Sequence, residues 1–163
     1  MPSFQAQHVS RTHSITLNGD PGVVFPLFTP LQEKKWSPEW ECDFLHPASG
    51  DVEKNAVFLT RSHDHGTVEA VWIISQYNPG ACLIEYQRIE PGVKVGSISI
   101  RCTAGEPGQT RAAVTYSYTG LDRWGNQFIQ GFTETVYHQY LETWETSINH
   151  YLNTGKALDS TSC

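Results

Sequence analysis

Apolar residues recur at helical spacing through the last long stretch of the chain, from Trp124 to Gly155. Seven of them fall at every fourth position: Phe128, Phe132, Val136, Tyr140, Trp144, Ile148 and Leu152. Four polar residues mark the opposite side: Gln139, Glu142, Glu145 and Asn149. This division is typical of an amphipathic helix with one side in solvent. The pattern predicts one long C-terminal helix, whose wide aromatic face needs a large partner surface.

The chain before this helix shows the period of two that is typical of half-buried strands. The predicted strands cover residues 9–17, 40–46, 55–62, 67–77, 81–90, 93–103 and 110–121. The turns between them carry residues that turn geometry favours, as in Asn78-Pro79-Gly80 and Pro91-Gly92. Strands joined by such short turns favour an antiparallel meander.

The segment between the first two strands predicts two short helices. Asp20 suits an N-cap and Pro21 a first helical position, while Pro26 and Pro30 exclude one long uninterrupted helix. The fold class that follows is α+β, with a curved seven-stranded antiparallel sheet wrapped around the C-terminal helix. We expect one domain over residues 1–155 and a flexible tail over residues 156–163.

Composition narrows the functional classes. The chain has 163 residues, enough for one domain with a real core. Its 17 acidic and 11 basic residues give a net charge of -6 without a basic run, which argues against binding to nucleic acid or to an anionic membrane surface. No apolar run approaches the length of a membrane span, and the N-terminus lacks an apolar export segment. We therefore expect a soluble cytoplasmic protein, as either a monomer or a dimer.

Alternation also predicts which strand side chains face the helix. The inward sets are Phe58 and Thr60; Trp72, Ile74 and Gln76; Cys82, Ile84, Tyr86 and Arg88; Ile98 and Ile100; and Val114, Tyr116 and Tyr118. Residues expected on the other face or near the strand ends are Glu69, Glu85, Lys94 and Arg111. A strongly bent sheet cannot touch a straight helix everywhere, so the space between them either fills with side chains or stays open as a pocket.

We predict a pocket for a hydrophobic or aromatic small molecule, because apolar walls with a few polar groups are what such a site needs. Its predicted lining is Phe58, Thr60, Trp72, Ile74, Tyr86, Arg88, Ile98, Ile100, Tyr116, Tyr118, Phe132, Val136, Tyr137 and Tyr140. The tyrosine hydroxyls and the Trp72 indole could orient a ligand or could bond to the protein itself. Arg88 could capture an anionic ligand, although an ion pair with an acid such as Glu90 is favoured.

Other polar residues give weaker signals. Three cysteines fall in predicted strands and are expected to be reduced core thiols: Cys42, Cys82 and Cys102. The run His63-Asp64-His65 is expected to be a solvated hairpin tip rather than a metal site. His138 and Glu142 are spaced for a surface pair, and His46 is a candidate acid or base at the pocket mouth. The sequence has no phosphate-binding loop, nucleophile elbow or zinc-binding helix motif, so no cofactor and no metal are expected.

Five stretches of the chain together carry a family resemblance. They are Asp20-Pro21 followed by Val24, Phe25 and Leu27; the loop from Trp36 to Trp40; Trp72 to Pro79; Ile84-Glu85-Tyr86; and Phe132 to Leu152. These stretches resemble the START-like helix-grip superfamily, also called SRPBCC, over residues 9–152. The resemblance implies a cavity between sheet and helix, in which members bind lipids, steroids, polyketides, quinones or plant hormones. Only some members, polyketide cyclases among them, are enzymes, so no catalytic residue is carried over.

Three functions fit this sequence. The first is binding of a lipid, polyketide or similar molecule in the cavity. The alternative is a cyclase, dehydratase or hydrolase that uses a tyrosine, His46 or Glu90 as an acid or base in the same cavity. The third is a protein-binding domain like the chaperone activators, which would expose an apolar patch around Trp36 and Trp40. These two tryptophans could equally pack against the core as a lid.

Overall fold

A computed structural model describes residues 3–61 and 67–159 of the protein. Its strands are β1 His8–Leu17, β2 Asp43–His46, β3 Val57–Arg61, β4 Val68–Asn78, β5 Leu83–Glu90, β6 Lys94–Ala104 and β7 Thr110–Gly120. Its α-helices are α1 Pro21–Val24, α2 Arg123–Gly131 and α3 Glu134–Thr154. Short 3-10 turns cover Phe25–Phe28, Glu33–Lys35 and Pro79–Ala81. The predicted α+β architecture, with seven strands, short helices after the first strand and a long closing helix, is confirmed.

The strands form one antiparallel sheet in the order β1-β7-β6-β5-β4-β3-β2. Consecutive strands from β2 to β7 are neighbours, so this part is the meander that the short turns predict. β1 and β2 lie at opposite edges, so residues 18–42 must cross from one edge to the other. This crossing connection packs against α3 through Phe28 and Trp36, whose ring centroids lie 6.1 and 5.6 Å from that of Trp144.

Irregular pairing is found in the β2 half of the sheet. Pairing is continuous between β5 and β6, between β6 and β7, and between β1 and β7. The register shifts at Phe44/His46, Thr60/Arg61 and Ile74/Gln76, and such bulges bend a strand and change its alternation. The shift in β4 makes the prediction for Gln76 wrong. Gln76 is exposed, and Tyr77 packs against the core instead.

The second strand and two of the cysteines also differ from the prediction. β2 begins at Asp43 rather than at Trp40, because the Trp40 indole N–H donates to the Pro30 carbonyl oxygen at 2.8 Å and stays in the loop. Cys42 therefore precedes the strand. Cys82 also lies outside a strand, in the left-handed conformation (φ 50°) that ends the turn Pro79–Ala81. All three described cysteines are free, and the third lies buried in β6.

The predicted C-terminal helix is two helices. α2 ends at Gly131, and Phe132 leaves the helical conformation with φ -84° and ψ 63°. Thr133 is extended, and its hydroxyl accepts the Val136 N–H at 3.2 Å, which makes it the N-cap of α3. Gly131 and Thr133 are the sequence signal for this break, but the uninterrupted apolar stripe obscures it.

The buried stripe of α3 is also narrower than predicted. It consists of Tyr137, Leu141, Trp144 and Ile148. A repeat of four residues drifts by about 40° per step around a helix that has 3.6 residues per turn. Val136 and Tyr140 therefore fall on the flank of α3, where 46% and 44% of their surface is exposed.

The polar side of α3 is fastened to the edge strand β1. The Glu145 carboxylate accepts the Thr16 N–H at 2.8 Å. The Asn149 amide oxygen accepts the Asn18 N–H at 2.8 Å, and its amide nitrogen donates to the Thr16 carbonyl oxygen at 3.0 Å. Glu145 and Asn149, predicted on the solvent side, are only partly exposed, because a helix along a sheet edge meets backbone groups that need partners.

His138 pairs with a different acid from the one predicted. Its Nε2 lies 3.8 Å from a carboxylate oxygen of Glu134, one turn earlier in α3, rather than pairing with Glu142. Its ring also packs on His13 of β1, with 4.1 Å between the ring centroids. This arrangement adds a second contact between α3 and the edge strand.

A close backbone approach at Gly125 seats α2 on the end of the sheet. A Cβ at Gly125 would overlap the Val93 carbonyl oxygen and lie 3.0 Å from the Gly120 Cα, whereas nothing lies within 4 Å of a Cβ at Gly131. We predict that Gly125→Ala lowers the free energy of unfolding by about 2 kcal/mol or more, because the atoms it meets are backbone. Urea unfolding followed by circular dichroism measures this change.

Gly131→Ala, in the same helix, is the matched control. It is expected to be neutral or to stabilise by up to about 1 kcal/mol, since alanine is the better helix former. A Gly125→Ala variant as stable as this control would contradict the close approach.

Candidate functional site

A cavity of about 1260 Å³ lies between the inner face of the sheet, the flank of α3 and the crossing connection. Of the fourteen residues predicted to line a pocket, all but Ile74 and Tyr137 border this cavity. These two are fully buried in the core, where the Tyr137 hydroxyl donates to the Val114 carbonyl oxygen. That the other twelve residues contact a ligand remains a prediction.

Aromatic rings cover both sides of the cavity. On the sheet, Phe58 stacks on Trp72 with 5.5 Å between centroids, and Tyr86 meets both rings edge-on at 6.2 and 5.9 Å. Trp40 of the crossing connection lies 5.6 Å from Trp72. Toward the helices, the Tyr116 ring lies within 6.4 Å of five others: Tyr118, Phe132, Tyr137, Tyr140 and Trp144. Aromatic rings therefore form much of the wall on both sides.

Several polar tips on these rings already bond to the protein. The Trp72 indole N–H donates to the Thr60 hydroxyl at 3.0 Å, and the Tyr86 hydroxyl donates to the Phe28 carbonyl oxygen at 2.7 Å. The Trp72 and Tyr86 polar groups therefore bond to the protein itself rather than waiting for a ligand, because their hydrogen-bonding capacity is used within the fold. Their ring faces can contact a ligand, but their polar groups do not orient it.

Of the hydroxyl groups nearest to α3, those of Tyr116 and Tyr140 share a side-chain hydrogen bond. Burial and the neighbouring Tyr140 raise the pKa of the Tyr116 hydroxyl, and burial also raises the pKa of the Tyr140 hydroxyl. Burial raises the pKa of Tyr118 to about 12. All three line the cavity and stay neutral near pH 7, so each carries a hydroxyl group that can donate as well as accept.

Four charged residues form a cluster that lines the cavity. Arg88 Nη1 lies 3.0 Å from Glu90 Oε2, and Arg88 Nη2 lies 3.6 Å from Glu69 Oε1. Lys94 Nζ pairs with the same Glu90 oxygen and lies 4.0 Å from the centroid of the Phe128 ring. The ion pair favoured for Arg88 is therefore present. Lys94 and Glu69 lie near strand ends as expected, but both line the cavity.

The environment of Glu90 opposes its use as an acid. Burial by itself raises the pKa of this carboxyl, but Lys94 and Arg88 outweigh that effect and hold the pKa below its usual value. Glu90 is therefore ionised at neutral pH. His46, the other acid or base considered, is exposed and outside the lining, with its Nε2 3.6 Å from a Glu53 oxygen.

Glu33 is the titratable residue that the sequence analysis missed. It begins the turn Glu33–Lys35 in the crossing connection, and its partly buried side chain lines the cavity. Within residues 3–61 and 67–159, its carboxyl group has neither an ion pair nor a hydrogen bond. Burial raises its pKa to about 8, so most of it is protonated at pH 7.

The position of Glu33 explains why it was missed. The crossing connection has no strand or long-helix period, so alternation assigns no face to its residues. One signal was available, because Glu33 precedes Trp36 by three residues, a spacing that places two side chains on one side of a helical turn. Trp36 is 4% exposed, and both residues line the cavity.

The two loop tryptophans are packed rather than displayed. The Trp36 indole N–H donates to the Leu27 carbonyl oxygen at 2.8 Å, and Trp40 is held in the same way by Pro30. Both rings line the cavity, so they act as the lid and not as the exposed patch that a docking function requires. Leu158, beyond the end predicted for the domain, also lines the cavity.

Two other kinds of site are absent from the residues that the structure describes. No group of three or more histidine, cysteine, aspartate or glutamate residues there is placed to hold a metal ion. No helix in those ranges is long and apolar enough to cross a membrane. His63-Asp64-His65 lies outside the described residues, so the solvated hairpin tip stays a prediction.

The sequence matches no protein-family model and no curated protein. Solved structures nevertheless resemble it. Norcoclaurine synthase from Thalictrum flavum, in complex with dopamine and hydroxybenzaldehyde, has a TM-score of 0.67 and 9% identity over 94% of this chain and 91% of that one. Zhui aromatase/cyclase from Streptomyces sp. R1128 has a TM-score of 0.64 and 13% identity, covering 94% and 100%. An uncharacterized protein from Rhizobium leguminosarum has a TM-score of 0.62 and 16% identity, covering 91% and 97%.

These similarities concern the fold. They confirm the predicted helix-grip fold, with its antiparallel sheet and long C-terminal helix. At 9 to 16% identity they assign no role to any residue of this chain.

The raised pKa of Glu33 makes stability depend on pH. The unfolded carboxyl ionises near pH 4.5 and the folded one near pH 8. Between these values the unfolded state loses its proton first, so the free energy of unfolding falls as pH rises, by up to about 1.4 kcal/mol per pH unit. We predict that Glu33→Gln removes this slope, and that the variant gains stability relative to the wild type from pH 4.5 to 8.

Urea unfolding at a series of pH values measures the difference between the two proteins. Glu106→Gln, in the exposed turn between β6 and β7, is the matched control and should run parallel to the wild type. Parallel curves for Glu33→Gln would show that the Glu33 carboxyl ionises normally in the folded protein.

Proposed function

We propose that this helix-grip domain binds a hydrophobic or aromatic small molecule, such as a lipid or a polyketide, in the cavity between its sheet and its helices. The observation that carries the proposal is a cavity of about 1260 Å³ walled by aromatic rings. Protein interiors are normally packed as densely as organic crystals. Pockets for drug-sized ligands span roughly 300 to 1,000 Å³, so this one has room for several fused rings or a long chain.

Desolvation supplies most of the proposed affinity. Burying about 200 Å² of apolar ligand surface contributes about 5 kcal/mol at 25 cal/mol per Å². The ring faces of Trp72 and Tyr86 provide such surface, because their polar tips are already bonded within the fold. Orientation is left to the Tyr118 hydroxyl and the carboxyl of Glu33, because the Tyr116 and Tyr140 hydroxyls already bond to each other.

The helix flank offers a route into the cavity. Phe128, Val136 and Tyr140 line the cavity and are also exposed on the surface, by 39%, 46% and 44%. They lie on either side of the break between α2 and α3. The cavity therefore reaches solvent beside this break, where a ligand can enter without unfolding the sheet.

One further observation supports the proposal. Norcoclaurine synthase, which shares the fold, holds dopamine and hydroxybenzaldehyde, two aromatic small molecules.

We also place the protein in the cytoplasm, because the free thiols of Cys42, Cys82 and Cys102 suit a reducing compartment.

A second candidate function is an enzyme that performs acid or base chemistry in the same cavity. One observation favours it: the Glu33 carboxyl lines the cavity with a pKa of about 8, close to the pH at which a proton donor is effective. Incubation of the protein with a small-molecule extract of its source, followed by mass spectrometry, tests this function. A product formed by the wild type and not by Glu33→Gln supports it, and unchanged extracts argue against it.

Occupancy of the cavity gives a direct test of binding. We predict that the neutral dye N-phenyl-1-naphthylamine gains fluorescence with the protein, and that Val136→Trp weakens its binding about tenfold or more. Val136 lines the cavity from an exposed position, so a larger side chain narrows the entrance without disturbing the core. Fluorescence titration measures the dissociation constant.

The neighbouring variant Thr135→Trp is the matched control, because Thr135 is exposed on α3 outside the cavity lining. It should bind the dye as the wild type does. Dye binding that neither substitution changes would place the dye on the surface and would remove the support for a binding cavity.

A further inference from the structure

We infer that Glu33, in its protonated form, donates a hydrogen bond to an oxygen acceptor on the bound molecule, so that the cavity selects neutral aromatic ketones and related carbonyl compounds over hydrocarbons of the same shape. This inference rests on the proposed binding function and names the class of ligand. It begins from a contrast between the charged groups of the lining. The Arg88 cluster is internally paired, whereas Glu33 is not.

The surroundings of Glu33 keep its carboxyl group neutral. The titratable groups whose electrostatics Glu33 affects are Cys42 of the crossing connection, Tyr86 of β5, Tyr116 of β7 and Tyr140 of α3. None of these groups is a cation, and burial raises the pKa of each. The adjacent cation Lys34 is paired with Glu41 at 3.4 Å. A buried carboxyl without a positive partner favours its uncharged form. The entry of an apolar ligand would displace water and strengthen this preference.

A neutral carboxyl has one hydrogen to donate. The nearby Tyr86 hydroxyl is already committed to the Phe28 carbonyl oxygen, so it does not supply a donor to the ligand. A ligand without an acceptor would leave the Glu33 donor without a partner in an apolar site, which is costly. A carbonyl oxygen satisfies it, and a ketone differs from its parent hydrocarbon only where this oxygen replaces the two hydrogens of a methylene group.

The Arg88 cluster does not compete for the same ligand group. Arg88 is 13% exposed at its side chain and has acidic partners at 3.0 and 3.6 Å, so an anionic ligand would have to displace Glu90 or Glu69. Lys94 shares the Glu90 carboxylate. The ligand that fits without breaking these pairs is neutral.

Fluoren-9-one and fluorene provide a matched pair of probes, because they have the same tricyclic shape and differ by the carbonyl group. Their affinities are measured by displacement of N-phenyl-1-naphthylamine from the full chain between pH 6 and pH 9.5. We expect the wild type to bind the ketone about three- to tenfold more tightly at pH 6 to 7. The preference should fall as the pH rises through 8 and be lost near pH 9.5, as Glu33 ionises and the competent fraction falls.

Three variants separate the role of Glu33 from general packing. Glu33→Gln should keep the preference for the ketone at every pH, because an amide donates without titrating. Glu33→Leu should bind both probes equally at every pH, and Glu106→Gln should behave as the wild type. Thermal unfolding by circular dichroism checks that each variant is folded.

The outcomes are distinct. If fluorene and the ketone bind equally in the wild type, or if Glu33→Leu keeps the preference, the inference is overturned while the binding function stands. If neither probe displaces the dye and the dye itself does not bind, the proposed function falls as well. Tighter binding of 9-aminofluorene, a cation of the same shape, with affinity that rises through pH 8 would show that ionised Glu33 captures an amine, and would also overturn the inference.

Discussion

Hydrogen bonds between α3 and the edge strand β1 determine where the interior of this protein is open. Glu145 and Asn149 hold the helix to the backbone at Thr16 and Asn18. Because α3 is anchored at one edge, part of the inner face of the sheet stays uncovered, and there residues of β3 to β7 line the cavity together with Trp144 and the flank of α3. The crossing connection then closes the other side with its tryptophans. The cavity therefore results from the place where the helix is held. Small side chains do not explain it, because its walls carry some of the largest side chains in the chain.

Two glutamates that line this cavity have opposite pKa shifts, because their surroundings differ. Glu90 lies against Arg88 and Lys94, and its pKa is lowered despite burial. Glu33 has burial without a cation, and its pKa is raised to about 8. The Glu90 carboxylate is therefore engaged in ion pairs near the strand ends. The other keeps a proton near neutral pH and is free to interact with whatever occupies the cavity.

Local patterns predicted the strands well because both the alternation and the turn residues are properties of neighbouring positions. The prediction failed where a distant contact decides, as when Pro30 captures the Trp40 indole or when the bulge in β4 exposes Gln76. The lining contributed by strands followed from parity, since side chains two apart share a face. Glu33 could not be found in this way, because its position depends on how an aperiodic connection crosses the sheet.

The anchoring of α3 has another effect, on how molecules of this protein meet each other. An open sheet presents two rims of backbone donors and acceptors to which a strand from another copy can add. At β1, the Thr16 and Asn18 N–H groups are already engaged by the helix. At β2, the strand has four residues, an irregular register and Pro47 directly after it. The end of the β1 rim beside α3 and the short β2 rim are therefore poor templates for a strand from another copy.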